Sequence, residues 1–152
     1  MKRYLFFLFI VMSLNSCSYI TFLYFRNYTD DPVEIMITTA GKGGERKIVR
    51  FYREILKIDH NTRDQLTDSL TTVRLDDSTC LLTVPANSTV SLTSLIAGRY
   101  DTAGTRIMLR QDGRTDSLFF TADLRVEDAN REFQKTGGWQ VKNIFYYDYG
   151  KK

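Results

Sequence analysis

The feature that most limits how this chain can fold is a series of short runs rich in β-branched and aromatic residues, each closed by turn-forming residues. Val33-Glu34-Ile35-Met36-Ile37-Thr38 follows Asn-Tyr-Thr-Asp-Asp-Pro and alternates between strongly and weakly apolar or polar side chains. With the aromatic run Ser18–Arg26 before it, this reads as a first hairpin or as a strand that crosses between sheets. Cys80–Val84, the turn Pro85-Ala86-Asn87-Ser88 and the run Thr89–Ile96 repeat the strand, turn, strand order. Arg106–Arg110 and Ser117–Thr121 flank Gln111-Asp112-Gly113-Arg114, where Asp-Gly can supply the positive φ angles of a tight hairpin. Trp139–Tyr149 is a long aromatic strand. Seven or eight strands in one small domain predict a mainly β fold, an antiparallel β-sandwich of the immunoglobulin-like or jelly-roll kind.

Two segments depart from this pattern and predict one or two short helices. In Glu45–Asp59 the charged residues Arg46, Arg50, Arg53, Glu54 and Lys57 fall at helical spacing, opposite a stripe of Ile48, Phe51, Tyr52, Ile55 and Leu56. A helix over about 45–58 is therefore expected, although Ile48-Val49-Arg50-Phe51 has the composition of a strand. Glu127–Gln134 predicts a shorter helix ending near Gly137-Gly138. His60–Ser78 is polar and reads as an exposed excursion. Apolar content of 43%, charged content of 26% and two prolines fit a globular chain, and 152 residues fit a single domain.

The first residues have a different grammar. Lys2 and Arg3 precede the apolar run Tyr4–Met12, and small or polar residues follow at Ser13, Asn15 and Ser16. Leu14-Asn15-Ser16-Cys17 resembles the lipobox of bacterial lipoproteins: an aliphatic residue, a variable one, a small one and an obligatory cysteine. The resemblance covers the first 17 residues, and Asn15 departs from the Ala or Ser more usual at its position. It implies that residues 1–16 are a cleaved signal peptide and that Cys17 carries acyl chains. A domain of residues 17–152 would then be tethered to a membrane. Ser18, rather than aspartate, after the cysteine implies the outer membrane by the same resemblance. The alternative is an uncleaved membrane span over Tyr4–Phe25, a 22-residue stretch interrupted by Ser13, Asn15, Ser16, Ser18 and Thr21.

Removing Lys2 and Arg3 from 21 basic residues leaves 19 against 18 acidic ones, a balance that argues against nucleic acid as a partner. If Cys17 carries lipid, Cys80 is the one remaining thiol and no internal disulfide can form. Cys80 sits in a strand-like run, where cysteine behaves as a small buried hydrophobe.

Catalytic signals are scarce. The single histidine, His60, stands at a loop start, and the pairs Asp30-Asp31 and Asp76-Asp77 stand in turn-forming company. Gly41-Lys42-Gly43-Gly44 lacks the spacing of a phosphate loop, and neither Gly-x-Ser-x-Gly nor His-Glu-x-x-His occurs. No enzymatic activity, metal or cofactor is expected. Four triplets, beginning Asp68-Ser69, Asp77-Ser78, Asp101-Thr102 and Asp116-Ser117, resemble the O-glycosylation motif of exported proteins in one group of gut-associated Gram-negative bacteria. They make Ser69, Ser78, Thr102 and Ser117 candidate acceptors, although Asp-Ser and Asp-Thr also suit turns and strand starts. Tyr100, Trp139 and Tyr146 are candidate stacking residues for sugar rings. Ala97-Gly98-Arg99-Tyr100 and Gln111-Asp112-Gly113 bear a faint similarity to small lipoprotein inhibitors of lysozyme, without their Ser-Gly-Ala-Arg-Tyr order or paired cysteines. The expected role is a non-enzymatic, outer-membrane-anchored binding or structural component of the cell envelope, with an envelope protein or a glycan as partner. A carbohydrate-binding module, a hydrolase inhibitor and a small envelope enzyme are the alternatives.

Overall fold

Ile20–Asn27, which in the sequence continues the apolar run of the first residues, is a central strand of the fold. The computed structural model describes residues 20–39, 47–96, 104–121, 130–136 and 142–151. Its strands are β1 (Ile20–Asn27), β2 (Val33–Thr39), β3 (Ile48–Tyr52), β4 (Asp68–Thr71), β5 (Val73–Arg74) and β6 (Thr79–Val84), followed by β7 (Ser88–Ser91), β8 (Thr105–Gln111), β9 (Arg114–Phe120), β10 (Gln134–Thr136) and β11 (Lys142–Tyr149). One turn of helix, α1, spans Thr62–Gln65.

The strands form two sheets, ordered β10-β11-β1-β7-β3-β4 and β5-β6-β2-β8-β9. They pack face to face as the expected sandwich. β1 and β2 lie in different sheets, so the chain crosses between layers at Tyr28–Pro32 rather than closing a hairpin. All pairings are antiparallel except β1 with β11, which run parallel from Ile20↔Lys142 to Asn27↔Tyr149. The chain thus joins its first and last described strands in the middle of one sheet.

Alternation builds the core. Leu23 and Phe25 of β1, Val49 and Phe51 of β3, Val90 of β7 and Phe145 of β11 face Ile35 and Ile37 of β2, Leu82 of β6, Ile107 and Leu109 of β8 and Phe120 of β9. Phe120 meets Phe133 and Phe145 edge to face, at centroid distances of 5.2 and 5.4 Å. Cys80 is buried in this core, 1% exposed, as expected for a cysteine acting as a small hydrophobe, and burial pushes its thiol pKa up. At the Asp112-Gly113 turn both residues have positive φ, 48° and 75°, the two-residue geometry that the sequence predicts between β8 and β9.

The helix expected over 45–58 is absent: Ile48–Tyr52 is a strand, exposed and buried in strict alternation from Ile48 to Phe51. Val49 and Phe51 enter the core, and the strand fills the place between β7 and β4. Arg46 lies outside the described residues, and the other charges that mimic a helical face, Arg50, Arg53, Glu54 and Lys57, are exposed positions of β3 and of the chain after it. The excursion expected at His60–Ser78 contains β4 and β5, which are edge strands of the two different sheets. Thr89–Ile96 is strand only as far as Ser91, and Leu95 N–H then closes a turn onto Leu92 C=O at 2.9 Å. Of the second expected helix, Glu127–Gln134, residues 127–129 lie outside the described residues, and the rest is not helical: Phe133 N–H closes a turn onto Asn130 C=O at 3.0 Å, and Gln134 begins β10.

The registers define two ends. At one, the turns Tyr28–Pro32, Pro85–Asn87 and Asp112–Gly113 meet: Asn87 N–H bonds Thr29 C=O at 3.1 Å, and Gln111 Nε2 bonds Thr29 Oγ1 at 2.8 Å. Asn27, fully buried there, donates to Asp31 and Pro85 carbonyls at 2.9 and 3.0 Å and accepts from Thr29 N and Oγ1 at 3.1 and 2.7 Å. The other end, called the entry end below, holds Ile20, Thr39, Ile48, Thr71, Thr79, Thr105 and Phe120.

Candidate functional site

The side chains of β1 that point away from the main core, Phe22, Tyr24 and Arg26, are also buried. The chain from Arg53 to Leu66 crosses the outer face of the first sheet and packs Leu56, Ile58 and Leu66 on Phe22, Tyr24, Ile144 and Tyr146, a second, smaller core. Thr89 Oγ1 pins this crossing segment by accepting from Leu56 N–H at 2.8 Å and donating to Glu54 C=O at 3.0 Å. Asp59 and Thr62 then shape the turn into α1: Asp59 N–H donates to Thr62 Oγ1 and Asn61 N–H to Asp59 Oδ1, both at 2.8 Å.

Where this segment ends, it leaves a half-open groove of about 660 Å³ toward the entry end. Phe22, Ile48 and Leu66 supply its apolar lining, and Arg50, Arg63 and Asp64 its charges. Arg50 is held by a 3.3 Å bond from Nη1 to Leu66 C=O. On the remaining side the hydroxyls of Ser91 and Thr93 bond each other at 3.0 Å, and Thr93 Oγ1 accepts from Leu23 N–H at 3.1 Å. Lys47 Nζ donates to Ser94 C=O beside them at 2.9 Å. Two guanidinium groups and one carboxylate around an apolar floor suit a ligand that combines an anionic group with apolar surface.

A smaller pocket of about 100 Å³ adjoins the groove and brings His60 near Asp59 and Asp64, against Tyr24 and Ile144. His60 is exposed and makes no side-chain hydrogen bond among the described residues, while the Asp59 carboxylate is committed to its turn. Among the described residues no group of three or more His, Cys, Asp or Glu could hold a metal ion. Tyr24 has its phenol pKa pushed up to about 12, chiefly by burial, with Asp64 and Asp59 adding to the effect and Arg63 opposing it.

Of the residues singled out in the sequence, Cys17, Thr102, Tyr100 and Trp139 lie outside the described residues. Tyr146 packs in the second core with the Arg26 guanidinium 4.6 Å from its ring centroid, so a cation occupies that ring face. Ser69 is exposed on β4, Ser117 is exposed on β9, and Ser78 is half-buried at the entry end. These three positions are separate. Ser78 Oγ and N–H both bond Asp76 Oδ1, at 3.0 and 2.7 Å, and these bonds, the backbone one foremost, hold the Asp76 carboxyl below its usual range. Asp76-Asp77 therefore does turn work, as its company in the sequence predicts. The groove residues Phe22, Arg50, Arg63 and Thr93 carry no motif. The only sequence signal for them is that β1 is apolar at consecutive positions, the mark of a strand buried on both faces.

No protein-family model, curated protein or solved structure matches the chain.

Proposed function

We propose that this protein is a non-enzymatic lipoprotein of the bacterial cell envelope, anchored in the outer membrane by acyl chains on Cys17, that binds a partner through its β-sandwich. The observation that carries the reading is the position of β1. Because the strand takes the chain from Ile20 onward, only Tyr4–Tyr19 is left for a membrane helix. At about 1.5 Å per residue that stretch reaches about 24 Å, short of the roughly 30 Å hydrocarbon layer, whereas it suits a cleaved leader. The apolar run after Cys17, which lengthens the leader toward a span, is accounted for by packing on both faces of the first sheet. No helix among the described residues is long and apolar enough to cross a membrane. The groove on the outer face, with its mixed charged and apolar lining, supports a binding role over a purely structural one.

Intact mass analysis of protein purified from the membrane fraction tests the anchor. The expected species begins at Cys17 and carries acyl chains, and Cys17→Ala yields an unacylated chain that keeps its leader. An unmodified wild-type chain beginning at Met1 would overturn the reading.

A further inference from the structure

Four large apolar side chains are exposed among the described residues: Ile48 (71%), Val73 (59%), Leu75 (49%) and Phe119 (42%). Their distribution is one-sided. Ile48 opens β3 and pairs with Thr71, the last residue of β4. Leu75 follows β5, and its N–H bonds Thr79 C=O at 3.0 Å, at the start of β6. Phe119 is the penultimate residue of β9, paired with Arg106 next to the final Thr105↔Phe120 pair. All three lie at the entry end, and Val73 is two residues from Leu75 on the same edge. The opposite end exposes Asp30, Asp31, Asn87 and Asp112 in its turns.

Contact with water alone gives no reason for the apolar side chains to gather at the end where the chain enters β1. The anchor does. Only Ser18 and Tyr19 separate the lipid-bearing cysteine from Ile20, so the Cα of Cys17 lies within three steps of at most 3.8 Å, about 11 Å, of that strand end. With so short a tether the entry end is the part of the domain that must face the bilayer. Ile48 and Phe119 lie on different sheets, so exposed apolar contacts border the end on both layers. Phe119 is also held in place: its ring lies over Gly104, whose φ is +69° and where an added Cβ would collide with it.

We propose that the entry end of the sandwich is a bilayer-contact surface, in which Ile48, Leu75 and Phe119 seat in the lipid interface beside the acylated Cys17. This rests on the lipoprotein reading above and adds the orientation of the domain. The groove shares Ile48 with this surface, so its mouth opens next to the headgroups.

The test uses the full-length acylated protein in phosphatidylethanolamine–phosphatidylglycerol vesicles, with an environment-sensitive fluorophore on a cysteine introduced by Ile48→Cys, Leu75→Cys or Phe119→Cys, and by Asp112→Cys at the far end. Cys80 is buried and does not compete for label. For side chains seated about 5–10 Å into the interface, quenching by lipids spin-labelled near the headgroup is expected to be about threefold or more stronger at 48, 75 and 119 than at 112. Agreement at two of the three positions suffices, so a single variant that fails to fold does not decide the matter. Weak quenching at all positions, with Cys17 acylation confirmed by mass in the same sample, would overturn the contact surface and leave the anchor standing. Blue-shifted emission without lipid quenching would put a protein, such as a second copy of the chain, on this surface and also overturn it. An unacylated Cys17 would remove the anchor reading and this inference together.

Discussion

At the scale of single residues, Arg26 and Asp148 form a fastening point of the molecule. Nε and Nη2 of Arg26 grip the two Asp148 oxygens at 2.6 and 2.7 Å, Nη1 bonds Leu56 C=O at 2.9 Å, and the side chains are 9% and 3% exposed. The pair ties the first strand, the last strand and the crossing segment together, and Lys151 adds a 3.3 Å contact to Asp148. Asp148→Asn leaves a buried guanidinium without its counter-charge and is expected to destabilise the fold by about 3–5 kcal/mol in urea titrations. The double change Arg26→Met with Asp148→Leu removes both charges and is expected to cost less than Asp148→Asn alone. Tyr24 gives a pH signature. Its phenol pKa is raised from about 10 unfolded to about 12 folded, so the native state holds its proton longer. Stability from this group is complete below pH 10 and falls between about pH 10 and 12, by roughly 2–3 kcal/mol. Tyr24→Phe should flatten that part of an alkaline unfolding profile. It should not abolish the fall, because burial also raises the pKa values of Tyr147 and Tyr149.

Among the elements, the parallel pairing of β1 with β11 matters most. β1 has β7 on one side and β11 on the other, and β11 carries Phe145 into one core and Ile144 into the other. Deleting residues 142–152 would strip one flank of β1 and open both cores at once. The truncated chain is expected to be recovered as aggregate, with no cooperative thermal transition by circular dichroism. The strands and turns with clear local chemistry match their sequence signals. β2 alternates, β6 and β7 are joined at Pro85–Asn87, and Asp112-Gly113 turns β8 into β9. β3 was ambiguous locally because Ile48–Tyr52 fits a strand while its flanking charges fit a helix. The vacancy between β7 and β4 settles it, and that vacancy exists only once the sheet has formed. β4 and β5 were concealed in a polar stretch because edge strands bury little: β4 alternates half-buried and exposed residues, and both residues of β5 are exposed.

For the whole molecule, topology predicts kinetics. A sheet that pairs residue 20 with residue 142 cannot be completed until nearly the whole chain is in place. Refolding is expected on the millisecond-to-second scale, typical of sandwiches with non-local pairing, and stopped-flow fluorescence would detect it. A microsecond phase carrying the full amplitude would contradict the long-range closure. The sequence alone determined the β class, the turns and the burial of Cys80. It also supplied the lipobox resemblance, because local residue chemistry and period-two alternation suffice for each of these. The tertiary structure decided which strands share a sheet, that β1 is buried on both faces, and that Phe22, Arg50 and Arg63 border one groove. It also decided that Ile48, Leu75 and Phe119 gather at the end where the chain enters β1. The physical reason is that strand pairing and burial on a second face depend on residues far apart in the chain. No local pattern along the sequence records which distant segment will cover which face.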